Sequence, residues 1–280
     1  MRFAALFWFY REAALSANHL QVARVFNPHT AFYGLYGGPP AAAADFRAAL
    51  GADLDDFHVF ADERDPRWKW RHGDQLIIDW YLRRGHALAW DTIVVVQWDT
   101  LVFAPFEHLF ASLAEGEMLL LGLRALREVE SDWWWTSPAM PDNRVEYLAF
   151  LAHLRERLGY RDEPHCCLFV AACIPRRFLE GYAGIEQPTL GFLEYKLPMY
   201  AQVFGVPIRA GRGIEPYWNA GPPERRVQDY ALNAVGREIA AEAMLRHLRD
   251  ARGARLFHPV RRPVSATVRA SCARSEAGGG

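Results

Sequence analysis

An acidic residue, Asp99, closes the most strongly β-branched run of the sequence. Thr92-Ile-Val-Val-Val96 is followed by Gln97-Trp98-Asp99, and such a run is typical of a central strand buried on both faces. Ligands in open α/β sheets bind outside the carboxyl ends of the strands. A carboxylate there can hold Mg²⁺ or Mn²⁺ against a diphosphate, because hard cations prefer oxygen ligands. The alternative is that Asp99 only caps a turn through its side chain.

The elements around this strand alternate between short apolar runs and helical patterns, which predicts βαβ units and a mostly parallel sheet flanked by helices. A glycine and proline cluster at 37–40 predicts a loop at a strand end. Residues 124–145, rich in Trp, Pro and charge, indicate an insertion or mobile loop. Strands are predicted over 3–10, 30–36, 57–61, 92–96, 118–123 and 167–174, and helices over 16–26 with Ser16 as N-cap, 73–84, 145–158, 176–182, 191–204 and 236–252.

Composition excludes several classes of protein. The 280 residues are 51% hydrophobic and 23% charged, which is typical of a folded globular chain rather than a disordered one. The formal net charge of −1 gives no overall field for a nucleic acid. No apolar run reaches the roughly 18 residues that a membrane span needs. We expect a cytoplasmic protein, since Cys166, Cys167 and Cys173 read as small buried hydrophobic residues rather than disulfide or metal ligands.

The segment from Trp90 through Gln97-Trp98-Asp99 to Pro105 resembles the DxD-like strand end of nucleotide-sugar-dependent glycosyltransferases of the GT-A fold. In that family, two acidic residues carry the metal that grips the nucleotide diphosphate. Gln97 replaces the first of them here, so the resemblance assigns the metal to Asp99. It extends coarsely over residues 3–260. The fold class that it implies is α/β, with a single mixed, mostly parallel sheet of GT-A architecture, over a domain of residues 1–262 and a disordered tail over 263–280.

The resemblance also implies roles for other residues. His258 is similar to a late histidine that completes the metal site, and Glu194 is similar to an acidic residue that serves as base or acceptor contact. The resemblance assigns contacts with the nucleotide and the donor sugar to Arg11, Lys69, Arg71, Asp74 and Trp98. All of these residues except Trp98 have a purely structural alternative. Arg11 can end a strand, Lys69 and Arg71 can lie on a solvated face, and Asp74 can cap a helix. Glu194 can form an ion pair with Lys196, and His258 can be a structural imidazole with its hydrogen bonds satisfied.

Trp133, Trp134 and Trp135 form the most unusual local string of the sequence. Three adjacent indoles on a loop cannot all point inward, so we expect at least one to be exposed. That ring can stack on a sugar or close over the donor, as acceptor loops do in families that this chain resembles. The alternative is burial against another subunit or helix.

The sequence therefore predicts a glycosyltransferase that uses a nucleotide-diphosphate sugar, with UDP or GDP as the expected nucleotide, an unknown acceptor, and Mn²⁺ or Mg²⁺ as cofactor. One alternative keeps the fold but changes the reaction to nucleotidyl transfer or nucleotide-sugar hydrolysis. Another is a catalytically inactive protein that binds nucleotide sugars or glycans, which the replacement of an acid by Gln97 favours. Fold resemblance alone does not separate them.

Overall fold

The first strand, β1 (Phe3–Phe9), lies inside the main sheet, and all seven of its residues are buried. Successive side chains of a strand point to opposite faces. Leu6 and Trp8 accordingly pack into the core on one face of the sheet, whereas Phe7 and Phe9 pack into the core on the other. This burial on both faces explains why the strand reads as a continuous apolar run.

The computed structural model describes residues 1–211, 216–218 and 223–265. In that part of the chain, seven strands form the main sheet. Besides β1, they are β2 (Ala31–Tyr36), β3 (Asp56–Val59), β4 (Thr92–Gln97), β6 (Met118–Leu120), β9 (Ala171–Pro175) and β10 (Ile208–Ala210). Their order is β10-β6-β9-β4-β1-β2-β3. β9 pairs antiparallel with β4 and β6, and the other four pairings are parallel.

Two short antiparallel pairs accompany the main sheet. β5 (Leu101–Val102) pairs with β11 (Leu256–Phe257), and β7 (Arg124–Ala125) pairs with β8 (His165–Cys166). The first pair brings a late segment of the chain back to the end of β4.

The helices cover both faces of the sheet. Their bounds are α1 (Ala13–Phe26), α2 (Ala43–Leu50), α3 (Pro66–Arg71), α4 (Gly73–Arg83), α5 (Phe106–Leu109), α6 (Pro141–Arg157), α7 (Arg176–Tyr182), α8 (Leu193–Val203) and α9 (Ala241–Arg249). α1 and α2 pack on the face that carries Phe7 and Phe9, while α4, α6 and α8 pack on the opposite face. Among the described residues, no helix combines the length and apolarity needed to cross a bilayer. The expected α/β class, with a mixed and mostly parallel sheet between helices, is confirmed.

Several predicted boundaries are wrong for local reasons. α1 begins at Ala13, so Ser16 lies inside its first turn rather than at the N-cap. The Ser16 hydroxyl donates to the Arg11 carbonyl over 3.0 Å instead of accepting from a backbone amide. α9 begins at Ala241 rather than at Gly236, which has a positive φ of 65°. The predicted loop over 124–145 ends at Pro141, where proline suits the first turn of α6.

The strand predicted over 167–174 begins later than expected, because residues 167–170 are not part of a strand. β8 ends at Cys166 and β9 begins at Ala171. Between them, the Phe169 amide donates to the Glu194 carboxylate over 2.7 Å instead of to a neighbouring strand. Most of the tail predicted from residue 263 onward, and Cys272 with it, lies outside the described residues.

Candidate functional site

A cavity of about 460 Å³ opens at the carboxyl ends of β1 and β4. We call it the Asp99 cavity. Its wall is drawn from segments that lie far apart in the sequence: Tyr10, Arg11, Trp70, Gln97, Asp99, 132–135, 168–170, Glu194, Trp218, 233–236, His258 and Arg261. The position is the one that the strand-end argument predicts for a ligand in an α/β sheet.

Asp99 lies two residues beyond β4 and is only 5% exposed. Its Oδ1 lies 3.5 Å from His258 Nε2, and its Oδ2 lies 3.9 Å from Arg261 Nε. Burial alone would raise the pKa of Asp99, but the His258 imidazole and the Arg261 guanidinium together hold that pKa below its ordinary value. Asp99 is therefore ionised at neutral pH, and its Oδ1 has no hydrogen-bond partner among the described residues.

Backbone hydrogen bonds join the segment 256–260 to the chain around the end of β4. Beyond the pairing of β11 with β5, the Val260 amide donates to the Asp99 carbonyl over 2.8 Å, and the His258 amide donates to the Ala231 carbonyl over 2.9 Å. The His258–Pro259 peptide is cis. The two backbone hydrogen bonds hold His258 next to Asp99.

The donor set formed by Asp99 and His258 suits a divalent metal such as Mn²⁺, which accepts carboxylate oxygen and imidazole nitrogen. A buried carboxylate oxygen that accepts no hydrogen bond, with an imidazole nitrogen 3.5 Å away, offers such an ion two donor atoms. The described residues contain no group of three or more His, Cys, Asp or Glu side chains placed to hold a metal. Gln97 uses its amide to donate to the Phe169 carbonyl. A metal here would thus take two ligands from the protein, and the remainder from ligand oxygens and water.

Glu194, in the first turn of α8, faces the same cavity. Its Oε1 accepts the hydrogen bond from the Phe169 amide. Removal from water raises the pKa of Glu194 to about 8, and the bond from Phe169 offsets that rise only in part. A carboxyl group with such a pKa can take up or release a proton near neutral pH, as a general acid or base must.

A second cavity, of about 440 Å³, adjoins the first across Tyr10, Arg11 and Trp70. We call it the Lys69 cavity. The glycine and proline loop over 37–40 forms one wall. Lys69 Nζ donates to the Gly38 carbonyl over 3.2 Å, and burial lowers the pKa of Lys69.

Glycine is required at position 37 of this loop. A Cβ atom there would approach a side-chain carbon of Leu76 to 2.8 Å and the indole nitrogen of Trp8 to 2.9 Å. The backbone of the loop can therefore pass close to the cavity only without a side chain at this position.

The predicted site residues fall into two groups. Those that line the Asp99 or Lys69 cavity are Arg11, Lys69, Asp99, Trp133, Trp134, Trp135, Glu194 and His258. Arg11 extends its guanidinium over the Trp98 ring, 5.0 Å from the ring centre. Of the three adjacent indoles, Trp134 is 58% exposed, whereas Trp133 and Trp135 are buried.

The structure places three other predicted residues elsewhere. Trp98 is fully buried beneath Arg11 and serves as its support. Asp74 is buried in α4, where its carboxylate accepts hydrogen bonds from Lys196 and Tyr182, so it is not free to contact a donor sugar. Arg71 forms an ion pair with Glu146 and lines a neighbouring groove. The suggested pairing of Glu194 with Lys196 is also not formed.

Sequence reasoning missed Arg261 and Phe169. Arg261 follows His258-Pro259-Val260 closely enough that the predicted metal histidine could have drawn attention to it. No sequence signal points to Phe169, whose role depends on its main-chain amide and carbonyl rather than on its side chain.

No family model matches the sequence, and no curated protein matches it. Many solved structures are similar to the chain, including the following three. A galactosyltransferase, LgtC, in complex with donor and acceptor sugar analogs is 13% identical, with a TM-score of 0.46, over 97% of this chain and 95% of its own. A second structure, of an active-site mutant of LgtC, is 12% identical, with a TM-score of 0.45 and the same coverage.

The third is a putative glucose-1-phosphate thymidylyltransferase from Bacillus anthracis, in complex with a sucrose. It is 9% identical, with a TM-score of 0.42, over 74% of this chain and 86% of its own. At identities of 9 to 13%, these likenesses leave the activity of the chain a separate question.

Proposed function

We propose that this protein is a glycosyltransferase that moves a sugar from a nucleotide-diphosphate sugar to an acceptor hydroxyl with the help of a divalent metal. The observation that carries the proposal is the meeting of Asp99, His258 and Glu194 in one cavity at the carboxyl end of β4. An ionised carboxylate with an imidazole beside it suits a metal diphosphate, and a second carboxyl group of raised pKa suits proton transfer.

On the donor side, Asp99 and His258 would hold the metal, which supplies positive charge to the diphosphate leaving group. Arg261 and Arg11, both in the wall of the Asp99 cavity, add fixed positive charge there. The nucleotide would occupy the adjoining Lys69 cavity, where the Lys69 ammonium is held by the Gly38 carbonyl. Charge that is already in position stabilises a leaving diphosphate without further reorganisation.

On the acceptor side, Glu194 would receive the proton of the attacking hydroxyl. A bond forms between the acceptor oxygen and the anomeric carbon, while the bond from that carbon to the diphosphate oxygen breaks and its electron pair leaves with the diphosphate. Because the hydrogen bond from Phe169 fixes Oε1, Oε2 is the oxygen left for the proton. The raised pKa of Glu194 makes its ionised form a stronger base than an ordinary carboxylate.

Thermal unfolding in the presence of nucleotides tests the proposal, because a ligand that binds only the folded state raises the melting temperature. The full chain is heated with UDP, GDP, CDP or dTDP, each with and without Mn²⁺. We expect one nucleotide, UDP or GDP, to raise the melting temperature in a metal-dependent way. Asp99→Asn should abolish the metal-dependent part. Glu115→Gln should retain it, because Glu115 is an exposed residue before β6, at the end of the sheet opposite the carboxyl end of β4.

Product analysis separates the remaining functions. Glycosyl transfer requires an acceptor and releases nucleoside diphosphate, whereas hydrolysis releases free sugar without an acceptor and nucleotidyl transfer releases or consumes pyrophosphate. A nucleotide sugar that binds without any turnover would indicate a binding protein. Folded protein that responds to none of the four nucleotides would overturn the proposal.

A further inference from the structure

A third cavity, of about 600 Å³, lies on the far side of the tryptophan string. We call it the Trp134 groove. It shares Trp70, Trp134 and Trp135 with the Asp99 cavity. The rest of its lining is Arg67, Trp68, Arg71 and 140–143. The two cavities are therefore neighbours separated by indole rings, and a single extended ligand can lie across both.

Two of the shared indoles are exposed to solvent, Trp70 by 51% and Trp134 by 58%. Single exposed aliphatic side chains are ordinary, but a pair of exposed tryptophans at a cavity rim is a feature of interaction sites. Indole rings offer a flat apolar face together with a polar edge. That face matches the C–H surface of a pyranose ring.

Ring contacts and a hydrogen bond hold the aromatic surface together without any ligand. Trp135 stacks on Phe192 with ring centres 3.8 Å apart, and Trp70 contacts both rings at 5.3 and 5.8 Å. Asn143 donates from its amide to the Trp134 carbonyl over 3.0 Å, which ties the tryptophan string to the start of α6. A rigid platform costs little ordering entropy on binding.

Polar groups border these rings. Arg71 places its guanidinium 5.3 Å from the centre of the Trp135 ring and forms an ion pair with Glu146. Arg67 and Asp142 bring charges of both signs to the groove lining. Flat aromatic faces surrounded by mixed donors and acceptors fit a ligand with apolar ring faces and many hydroxyl groups. The groove offers a polyanion no net positive charge, because Glu146 pairs with Arg71 and Asp142 offsets the charge of Arg67.

We propose that the Trp134 groove is an acceptor subsite that binds an oligosaccharide. The acceptor's reacting end lies in the Asp99 cavity near Glu194, and its following sugar units stack on Trp134 and Trp70. The inference rests on the proposed function for the reacting end only, since stacking in the groove requires neither donor nor metal. It predicts that acceptors of several units bind more tightly than monosaccharides.

The test is tryptophan fluorescence titration of the full chain with cello-, malto-, xylo- and chito-oligosaccharides of one to six units, together with a glycan array. For at least one series, we expect the Kd to fall about tenfold from one unit to four or more units. Trp134→Ala and Trp70→Ala should each remove most of that gain, while Trp134→Tyr, which keeps a ring, should retain it. Leu82→Ala replaces an exposed apolar residue on α4 and should change nothing.

The nucleotide melting shift of the wild-type protein, measured alongside, separates the two proposals. Length-dependent glycan binding that Trp134→Ala abolishes would support the groove even if no nucleotide bound. A nucleotide response without length-dependent binding of any glycan would overturn the groove and leave the proposed function standing. Binding of peptides in place of glycans would overturn it as well, as would equal glycan binding by wild type and by a variant that carries both Trp134→Ala and Trp70→Ala.

Discussion

Lys196 Nζ lies 2.7 Å from Asp74 Oδ2, and both side chains are completely buried. The pair joins α8, which carries Glu194, to α4 across 122 positions of the sequence. Lys196 also donates to the Pro188 carbonyl over 2.6 Å, and the Tyr182 hydroxyl donates to Asp74 over 2.6 Å. A buried ion pair with these additional partners fixes the orientation of α8 under the candidate site.

Removing one member of this pair should destabilise the protein strongly. Lys196→Met leaves the Asp74 carboxylate buried without its counter-charge, and we expect the free energy of unfolding to fall by about 3–5 kcal/mol. Urea unfolding followed by circular dichroism measures the change. Arg83→Met, which breaks an exposed pair with Asp79 on the surface of α4, should alter stability little. Equal effects of the two substitutions would contradict a structural role for the buried pair.

The raised pKa of Glu194 predicts a pH-dependent stability. The folded state holds the Glu194 proton up to a pH of about 8, whereas an unfolded glutamate releases it near 4.5. The stabilisation is therefore fully present below pH 4.5 and is lost as the pH rises through 8. Between about pH 5 and 9, wild-type protein should lose stability more steeply than Glu194→Gln, by an amount on the order of a few kcal/mol. Thermal unfolding across that range measures the slope. Glu115→Gln should follow wild type, and parallel slopes for all three proteins would refute the assignment.

The same pKa predicts the pH profile of transfer. If Glu194 is the base that accepts the acceptor's proton, kcat should rise with pH and level off above about 8, where the carboxylate is ionised. Glu194→Gln should lower kcat by about a hundredfold or more, because general base catalysis contributes on that scale. Its metal-dependent nucleotide melting shift should persist, since the residue does not hold the donor. Loss of that shift along with activity would instead make Glu194 a donor contact.

Restoring the missing acid should strengthen metal binding. Gln97 donates its amide to the Phe169 carbonyl, and Gln97→Glu removes that hydrogen bond while placing a carboxylate beside Asp99. We expect the variant to be slightly less stable without metal, and to bind Mn²⁺ roughly tenfold more tightly by calorimetry. Gln187→Glu, at an exposed position before α8, should leave the Mn²⁺ affinity unchanged. Equal affinities for wild type and Gln97→Glu would argue against metal binding at this strand end.

The buried cysteines should be unreactive. Burial raises the pKa of the Cys166, Cys167 and Cys173 thiols above their usual range, and the thiolate is the reactive form. In native protein, a thiol reagent such as DTNB should therefore modify no more than one of the four cysteines quickly. All four should react in guanidinium. Rapid native modification of two or more would show that the core around β8 and β9 opens readily.

The local sequence was sufficient to predict the strand that carries the candidate site. It also predicted whether most of the surrounding elements are strands or helices. The β-branched run of β4 and the apolar run of β1 predict buried strands because a strand in the middle of a sheet has no solvent face. Asp99 at the end of β4 follows from the same pattern. Three adjacent tryptophans likewise predict that at least one is exposed, and Trp134 is 58% exposed.

Which distant residues meet is a property of the tertiary structure alone. His258 reaches Asp99 only because β11 pairs with β5. Asp74 lies away from the site because its carboxylate forms an ion pair with Lys196, on another helix, inside the core. The value of the Glu194 pKa depends on how much water the packed cavity admits. Periodicity and propensity describe neighbours along the chain, whereas these contacts arise from packing and solvent exclusion between segments that no local pattern connects.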